Sequence, residues 1–131
     1  MVLDVIILGA ALHADPHTRD FNPGLGVELE IAHDRGYGQE VTIYAGAAVY
    51  RDSYVHQAEV GGLGFRIDLL GEADRLHAGG DVLAGYGHMT TWTGPVIEPS
   101  VYVGYGALNA HAALMSVDTL GFYLRYQVVF P

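Results

Sequence analysis

The chain has 131 residues and a formal net charge of −9; half of its residues are hydrophobic and only 16% are charged. This acidic balance argues against nucleic-acid binding, because phosphate contacts need a basic face. The absence of cysteine excludes a disulfide framework, a thiol nucleophile and a thiolate metal site. The length predicts a single domain that covers residues 1–131.

Strand signals recur along the whole chain, and turns rich in Gly, Pro, Asn and Asp separate them. They predict eight strands, at residues 2–13, 24–33, 39–51, 53–70, 75–88, 95–105, 107–116 and 119–130. One of the turns is expected at Thr93-Gly94-Pro95. No apolar run reaches the ~18 residues of a transmembrane helix. The pattern predicts an all-β fold, an eight-stranded antiparallel up-and-down β-barrel of the outer-membrane type.

The predicted strands have one apolar and one polar face, since side chains alternate along a strand. A soluble barrel would turn the apolar face inward and a membrane barrel outward, so alternation alone leaves both open. The polar face mixes very large and very small residues, which favours a filled lumen. We expect its charged residues to pair there and its histidines to satisfy interior polar groups: Glu28, Glu30, Arg66, Arg125, His77 and His111. Trp92 is expected at a barrel rim, in an aromatic belt.

The first twelve residues are apolar but contain Asp4 and lack a basic segment, so they do not have the pattern of a signal peptide. An outer-membrane protein needs such a peptide for export. We therefore expect Met1 to begin a form from which the signal has been removed. The alternative is a protein that is never exported.

Four short segments resemble the PagP lipid A palmitoyltransferase family, in the same order and with compatible spacing. Residues 43–54 resemble the family's third strand and the loop that ends it, with Arg51-Asp52-Ser53-Tyr54. Residues 95–106 resemble its Pro-Val-x-x-Pro segment followed by Val-Gly-Tyr-Gly. The aromatic–Arg–aromatic–Gln pattern at residues 123–127 and the stretch from His13 to the glycines after Pro23 complete the resemblance, which spans nearly the whole chain.

The resemblance implies an outer-membrane enzyme that moves a palmitoyl-type acyl chain from a phospholipid to lipid A. By match to the family, the catalytic residues are His13, Asp52 and Ser53. We expect His13 to act as general base, Ser53 to activate or position the acyl ester and Asp52 to support one of them. A turn in which Asp52 and Ser53 only make local hydrogen bonds is the structural alternative.

The resemblance also implies substrate-binding positions. Gly62 and Gly64 fall where the family's barrel floor sets the length of the bound acyl chain. Pro23 and Pro99, with Pro95, match places where interrupted strand pairing lets lipid tails enter sideways. Strand curvature for the glycines and strand starts for the prolines are the alternatives.

The chain differs from the family in having no N-terminal amphipathic helix, a shorter first loop and the ending Phe130-Pro131. These differences leave the lipid acceptor open. The expected partners are phospholipid and lipid A or another membrane lipid, without nucleic acid, cofactor or metal, for a monomer in the bacterial outer membrane. Two other classes remain: a non-catalytic outer-membrane barrel, structural or lipid-binding, and a soluble lipocalin-like barrel.

Overall fold

A computed structural model describes residues 1–13, 21–36, 39–52, 54, 56–71, 75–116 and 119–131. Each strand pairs antiparallel with the next along the chain, and the last pairs with the first, so the sheet closes into a barrel. This confirms the predicted eight-stranded antiparallel barrel. Among the described residues there is no helix long and apolar enough to cross a membrane. The strands are β1 (Val2–His13), β2 (Gly24–Gly36), β3 (Gln39–Arg51), β4 (Gln57–Gly71), β5 (Leu76–His88), β6 (Thr93–Tyr105), β7 (Leu108–Ser116) and β8 (Thr119–Val129).

Three predicted boundaries are wrong: the end of β2, which runs to Gly36 and not to residue 33, the start of β4 and the start of β6. Strand β4 begins at Gln57 and not at residue 53, because Asp52 accepts hydrogen bonds that turn the chain before it. The turn predicted at Thr93-Gly94-Pro95 is part of β6, where Thr93 pairs with His88. The reversal lies before it, where the backbones of Met89 and Trp92 exchange hydrogen bonds of 2.8 and 3.3 Å.

Bulges and paired glycines bend this small barrel. Four register shifts occur, between Leu8/Ala10, Glu30/Ala32, Asp68/Leu70 and Leu114/Ser116. Such shifts increase local twist and bend a strand. In the wall between β4 and β5, Gly62 lies opposite Gly85, and a Cβ on either would overlap the backbone of the other strand. Glycine is needed at both positions for this close approach of two strands.

The barrel is apolar outside and charged inside. Ile97 and Leu63 on the outer wall are 72% and 60% exposed, whereas Arg66 and Arg125 in the lumen are each 4% exposed. The outer wall also carries exposed aliphatic side chains on the other strands, among them Ile7, Leu25, Val27, Ile43, Val82, Val101, Val103, Leu114 and Leu124. The buried polar residues of the lumen are Asp4, Glu28, Thr42, Arg66, His77, Asp81, Ser100, Asn109, His111 and Arg125.

Candidate functional site

Two of the three matched catalytic residues, His13 and Asp52, lie at one end of the barrel, which we call the upper rim: the ends of β1, β3, β5 and β7 and the loops that follow them. Strands β1 and β3 run in the same direction, so His13 at the end of β1 and Asp52 after β3 lie at the same rim. The backbone of His13 pairs with Thr119. The side chain of His13 and the whole of Ser53 lie outside the described residues, so their roles stay predictions.

Asp52 organises the loop that carries Ser53. One of its carboxylate oxygens, Oδ1, accepts hydrogen bonds from the backbone N–H groups of Tyr54 and His56, both at 3.0 Å. The other oxygen, Oδ2, accepts one from the N–H of Thr90 at 3.0 Å, across the rim. Partial burial works to raise the pKa of Asp52, but the hydrogen bonds from Thr90, His56 and Tyr54 outweigh it and lower that pKa. Asp52 is therefore an ionised carboxylate whose two oxygens are both occupied by backbone donors.

A second set of rim contacts fixes the entry into β2. The backbone N–H of Arg51 donates to the carbonyl oxygen of Pro23 at 3.0 Å, and the side-chain amide of Asn22 donates to the carbonyl oxygen of Arg51 at 3.0 Å. Asn22 is buried. Pro23 therefore lies at the start of β2. Its carbonyl oxygen is hydrogen-bonded to the end of β3, the strand that continues into Asp52.

The wall of the barrel has two incompletely paired stretches near the upper rim, which we call the open seams. The β1–β2 ladder ends with Leu8 opposite Gly24, so residues 9–13 have no β2 partner in the described pairing. The β6–β7 ladder runs only from Ser100 to Tyr105 on the β6 side, so residues 93–99 have no described β7 partner. Pro23 lies beside the first seam, and Pro95 and Pro99 lie within the second.

A partly open cavity of about 40 Å³, which we call the chamber, lies inside the barrel. This volume is room for about three water molecules or a small organic group. The lining combines apolar side chains with three carboxylates and tyrosine rings. It consists of Ile6, Leu8, Glu28, Tyr44, Gly46, Ala47, Ala48, Tyr50, Val60, Asp81, Leu83, Glu98, Met115 and Tyr123.

Gly62 and Gly64 are absent from this lining. A Cβ at Gly64 would overlap the Tyr44 ring, which covers it, and Gly62 faces the backbone of β5. Gly46 lines the chamber instead, and a Cβ there would meet only side-chain atoms, at 3.4 to 3.5 Å. The structure thus gives the glycines at 62 and 64 a packing role, and their substrate-binding role stays a prediction.

An ion cluster fills the lumen next to the chamber. The Nη1 and Nε atoms of Arg66 lie 3.2 Å from Asp4 Oδ2 and 3.6 Å from Asp81 Oδ2, and its Nη2 atom bonds to Glu28. The Nε and Nη1 atoms of Arg125 lie 3.7 Å from Asp4 and 3.8 Å from Glu28. This confirms that Glu28, Arg66 and Arg125 pair in the lumen. Since Glu28 and Asp81 also line the chamber, the cluster forms part of its wall.

Ser100, His111 and Asp81 have the composition of a catalytic triad but not its geometry. The Ser100 hydroxyl donates to Asp81 Oδ1 at 2.7 Å and lies 3.1 Å from His111 Nδ1, while Asp81 Oδ2 is 3.6 Å from the same nitrogen. A triad needs the serine and the carboxylate on opposite ring nitrogens. His111 lies in the lumen, stacked between Tyr102 and Tyr123. Its Nδ1 atom contacts Ser100, but its Nε2 atom is buried without a hydrogen-bond partner among the described residues, so the predicted role of satisfying interior polar groups is confirmed at one ring nitrogen only.

His77 lies at the opposite end of the barrel, and both of its ring nitrogens have polar partners. Its Nε2 atom lies 2.6 Å from Asn109 Oδ1 and its Nδ1 atom 2.9 Å from the carbonyl oxygen of Arg75. Among the described residues, no group of three His, Asp or Glu side chains is arranged to hold a metal ion.

Sequence reasoning missed the chamber residues Asp81, Leu83 and Glu98. The signal was present in the alternation of β5, where Asp81 and Leu83 share the face of His77, a residue assigned to the lumen. Glu98 lies beside Pro99, which was interpreted as a seam or strand-start position, and Asp81 and Leu83 lie within the predicted strand at residues 75–88 without having been assigned to a face.

In comparison with known proteins, no family model matches the chain and no curated protein has a significantly similar sequence. The resemblance to the PagP family accordingly remains a prediction from the four segments that carry it.

Proposed function

We propose that this protein is an outer-membrane β-barrel that transfers a palmitoyl-type acyl chain from a phospholipid to lipid A or a related lipid acceptor. The membrane location in this proposal rests on the inverted polarity of the barrel, in which apolar side chains face outward and charged side chains face inward. Exposing a side chain the size of Leu to water costs about 1.5–3 kcal/mol relative to burying it. A wall that exposes Ile97, Val101 and Leu63 while burying Arg66 and Arg125 suits contact with lipid.

The open seams support a lipid substrate. Unpaired backbone is tolerated at the depth of a membrane only where it faces protein or a cavity. The seam along residues 93–99 borders the chamber, because Glu98 lies on it and lines the chamber. A lipid tail that passes between β6 and β7 would reach apolar side chains of the chamber lining, such as Leu83, Val60 and Met115. Pro99 lies within one seam and Pro23 beside the other.

The rim supplies the chemistry in this proposal. His13 removes the proton from the acceptor hydroxyl as that oxygen attacks the ester carbonyl of the phospholipid. It then returns this proton to the lysophospholipid alkoxide as the carbon–oxygen bond of the donor ester breaks. Ser53 positions the ester. Asp52 acts through the loop, because both of its oxygens are bonded to backbone N–H groups just after the end of β3.

An acyl-transfer assay in detergent tests the proposal, with a phospholipid donor and lipid A as acceptor. Transfer by the parent should fall at least about a hundredfold in His13→Ala, since general acid–base catalysis contributes roughly 10²–10⁴-fold. Ser53→Ala should also lose most of the activity. His33→Ala is the matched control, because His33 is exposed on β2, near its far end from the upper rim. No transfer by a folded parent would overturn the enzymatic part.

A non-catalytic outer-membrane barrel is the second candidate, and the contacts of Asp52 favour it. A carboxylate with both oxygens used by the backbone is a sufficient structural reason for aspartate at this position. The chamber, at about 40 Å³, also holds only a short segment of an acyl chain unless its side chains move. The soluble lipocalin-like alternative is not supported by the inverted polarity.

A further inference from the structure

Thr90 contacts the carboxylate of Asp52 through both its backbone and its side chain. The backbone N–H of Thr90 donates to Asp52 Oδ2 at 3.0 Å, and the side chain also hydrogen-bonds to this carboxylate. Burial works to raise the pKa of Asp52, and the hydrogen bonds from the side chain and the backbone of Thr90 are the largest causes that lower it. Thr90 lies in the turn between β5 and β6. The carboxylate after β3 is therefore held by a residue of a different hairpin.

The turn that carries Thr90 is itself bonded to the start of β6. The backbones of Met89 and Trp92 exchange hydrogen bonds of 2.8 and 3.3 Å, which close the turn. The indole N–H of Trp92 donates to the carbonyl oxygen of Pro95 at 3.3 Å, which joins the turn to the strand after it. Since residues 93–99 of β6 form the second open seam, these contacts fix Thr90 relative to that seam.

The contact between Thr90 and Asp52 connects two parts of the barrel that do not pair with each other. In the described pairing, β4 and β5 lie between β3 and β6, so no ladder joins these two strands directly. The hydrogen bonds from Thr90 cross this distance at the upper rim and link the loop after β3, to which Ser53 belongs, with the β6 seam. In the proposed reaction the donor tail lies in this seam and the donor ester lies at Ser53, so transfer needs a fixed separation between the two.

We propose that Thr90 is a positioning residue for acyl transfer, which holds the loop of Asp52 and Ser53 in a fixed position relative to the β6 seam. This inference rests on the proposed acyl transfer, and it assigns no chemical step to Thr90 itself. Without the Thr90 hydroxyl the loop keeps one bond to the turn instead of two, so the bound ester is less often in a reactive geometry. The turnover of the bound complex then falls, while binding of the donor lipid changes little, because the seam is unaltered.

Acyl-transfer kinetics of Thr90→Val and Thr90→Ser test the proposal, with the full chain in detergent micelles. The valine removes the hydroxyl and keeps the shape of the side chain, whereas the serine keeps the hydroxyl. We expect Thr90→Val to lower kcat about tenfold and to change KM for the phospholipid less than about threefold, while Thr90→Ser stays within about threefold of the parent in both constants. Thr91→Val makes the same change at the neighbouring exposed position of the turn and should leave both constants as in the parent.

Amide hydrogen exchange followed by NMR separates this contact from the enzymatic proposal. Asp52 holds the N–H groups of Tyr54 and His56, and we expect both to exchange at least about fivefold faster in Thr90→Val than in the parent, Thr90→Ser or Thr91→Val. Unchanged exchange, or faster exchange with an unchanged kcat, would overturn the positioning role. A folded parent in which Thr90→Val speeds exchange but which transfers no acyl chain would overturn acyl transfer and the role of Thr90 in it, while the contact between turn and loop would stand.

Discussion

Asp52 Oδ2 accepts the backbone N–H of Thr90 at 3.0 Å, so the loop after β3 holds the turn between β5 and β6. The two residues lie 38 positions apart in the chain, and their contact joins two of the upper-rim connections. The same carboxylate also fixes the N–H groups of Tyr54 and His56 through its other oxygen. A residue that resemblance marks as catalytic is thus also the main polar connection of the rim.

Asp52→Ala removes all three acceptor contacts and should lower the free energy of unfolding by about 1–3 kcal/mol, since it leaves backbone donors without partners. Asp52→Asn keeps the Oδ1 contacts and loses the one with Thr90, so its cost should be smaller. Urea unfolding in detergent micelles measures both. Equal stability of the parent and Asp52→Ala would contradict the structural role.

The contribution of Asp52 should also depend on pH. Its folded-state pKa lies below the ordinary 3.8, so the hydrogen bonds stabilise the fold fully above that value. As pH falls from 3.8 through the lower folded pKa, this stabilisation is lost. The stability difference between the parent and Asp52→Asn should therefore be constant from neutral pH down to about pH 5 and shrink below it. A stability difference between the parent and Asp52→Asn that grows on acidification would contradict this role of the Asp52 carboxylate.

The ion cluster predicts a large difference in stability loss between two arginine substitutions. Arg66→Met leaves Asp4, Glu28 and Asp81 in the lumen without their main cation and should cost about 3–5 kcal/mol. Arg35→Met breaks an ion pair with Glu40 whose arginine is exposed, and it should cost at most about 1 kcal/mol. Equilibrium unfolding in vesicles compares them. Similar small losses in both variants would show that the lumen is hydrated and the cluster weak.

Because the Tyr44 ring packs over Gly64, we expect an alanine to destabilise the barrel more at Gly64 than at Gly46. Gly64→Ala should destabilise the barrel by about 1–3 kcal/mol, because its Cβ overlaps the Tyr44 ring. Gly46→Ala meets only ordinary contacts and should be nearly neutral. Combining Gly64→Ala with Tyr44→Leu should recover part of the loss, which a double-mutant cycle measures. Additive losses in that cycle would refute the contact.

Much of the barrel follows from alternation alone. In β2 and β4 the polar positions Glu28 and Arg66 fall on the face opposite Leu29 and Phe65, and the structure buries them as expected. Strand β6 was harder, because Pro95 and Pro99 are typical of turns and strand starts, yet both lie within the strand and beside a seam.

The chamber could not be derived from one strand. It needs Leu83, Glu98 and Met115 from three strands, and the cover over Gly64 depends on the direction of the Tyr44 ring. Such relationships depend on tertiary packing and on the register of the closed barrel, which a pattern of period two does not determine.

A charge on the outer wall separates a lipid environment from water. Leu63→Arg places a guanidinium on the outer face of β4 and should cost about 2–4 kcal/mol for folding into vesicles if that face meets lipid near the midplane. Glu59→Arg, on the same face at the rim, should be nearly neutral. In a soluble barrel, whose outer face meets water, Leu63→Arg should cost as little as Glu59→Arg.

The most direct test of the central claim, that the apolar outer wall meets lipid, is refolding from urea with and without phosphatidylcholine vesicles. Strand content by circular dichroism and the heat-dependent gel mobility of folded barrels are followed together. We expect both signatures only when vesicles or micelles are present, and aggregation in plain buffer. A compact folded monomer in buffer without lipid or detergent would contradict the membrane barrel and, with it, the proposed site of acyl transfer.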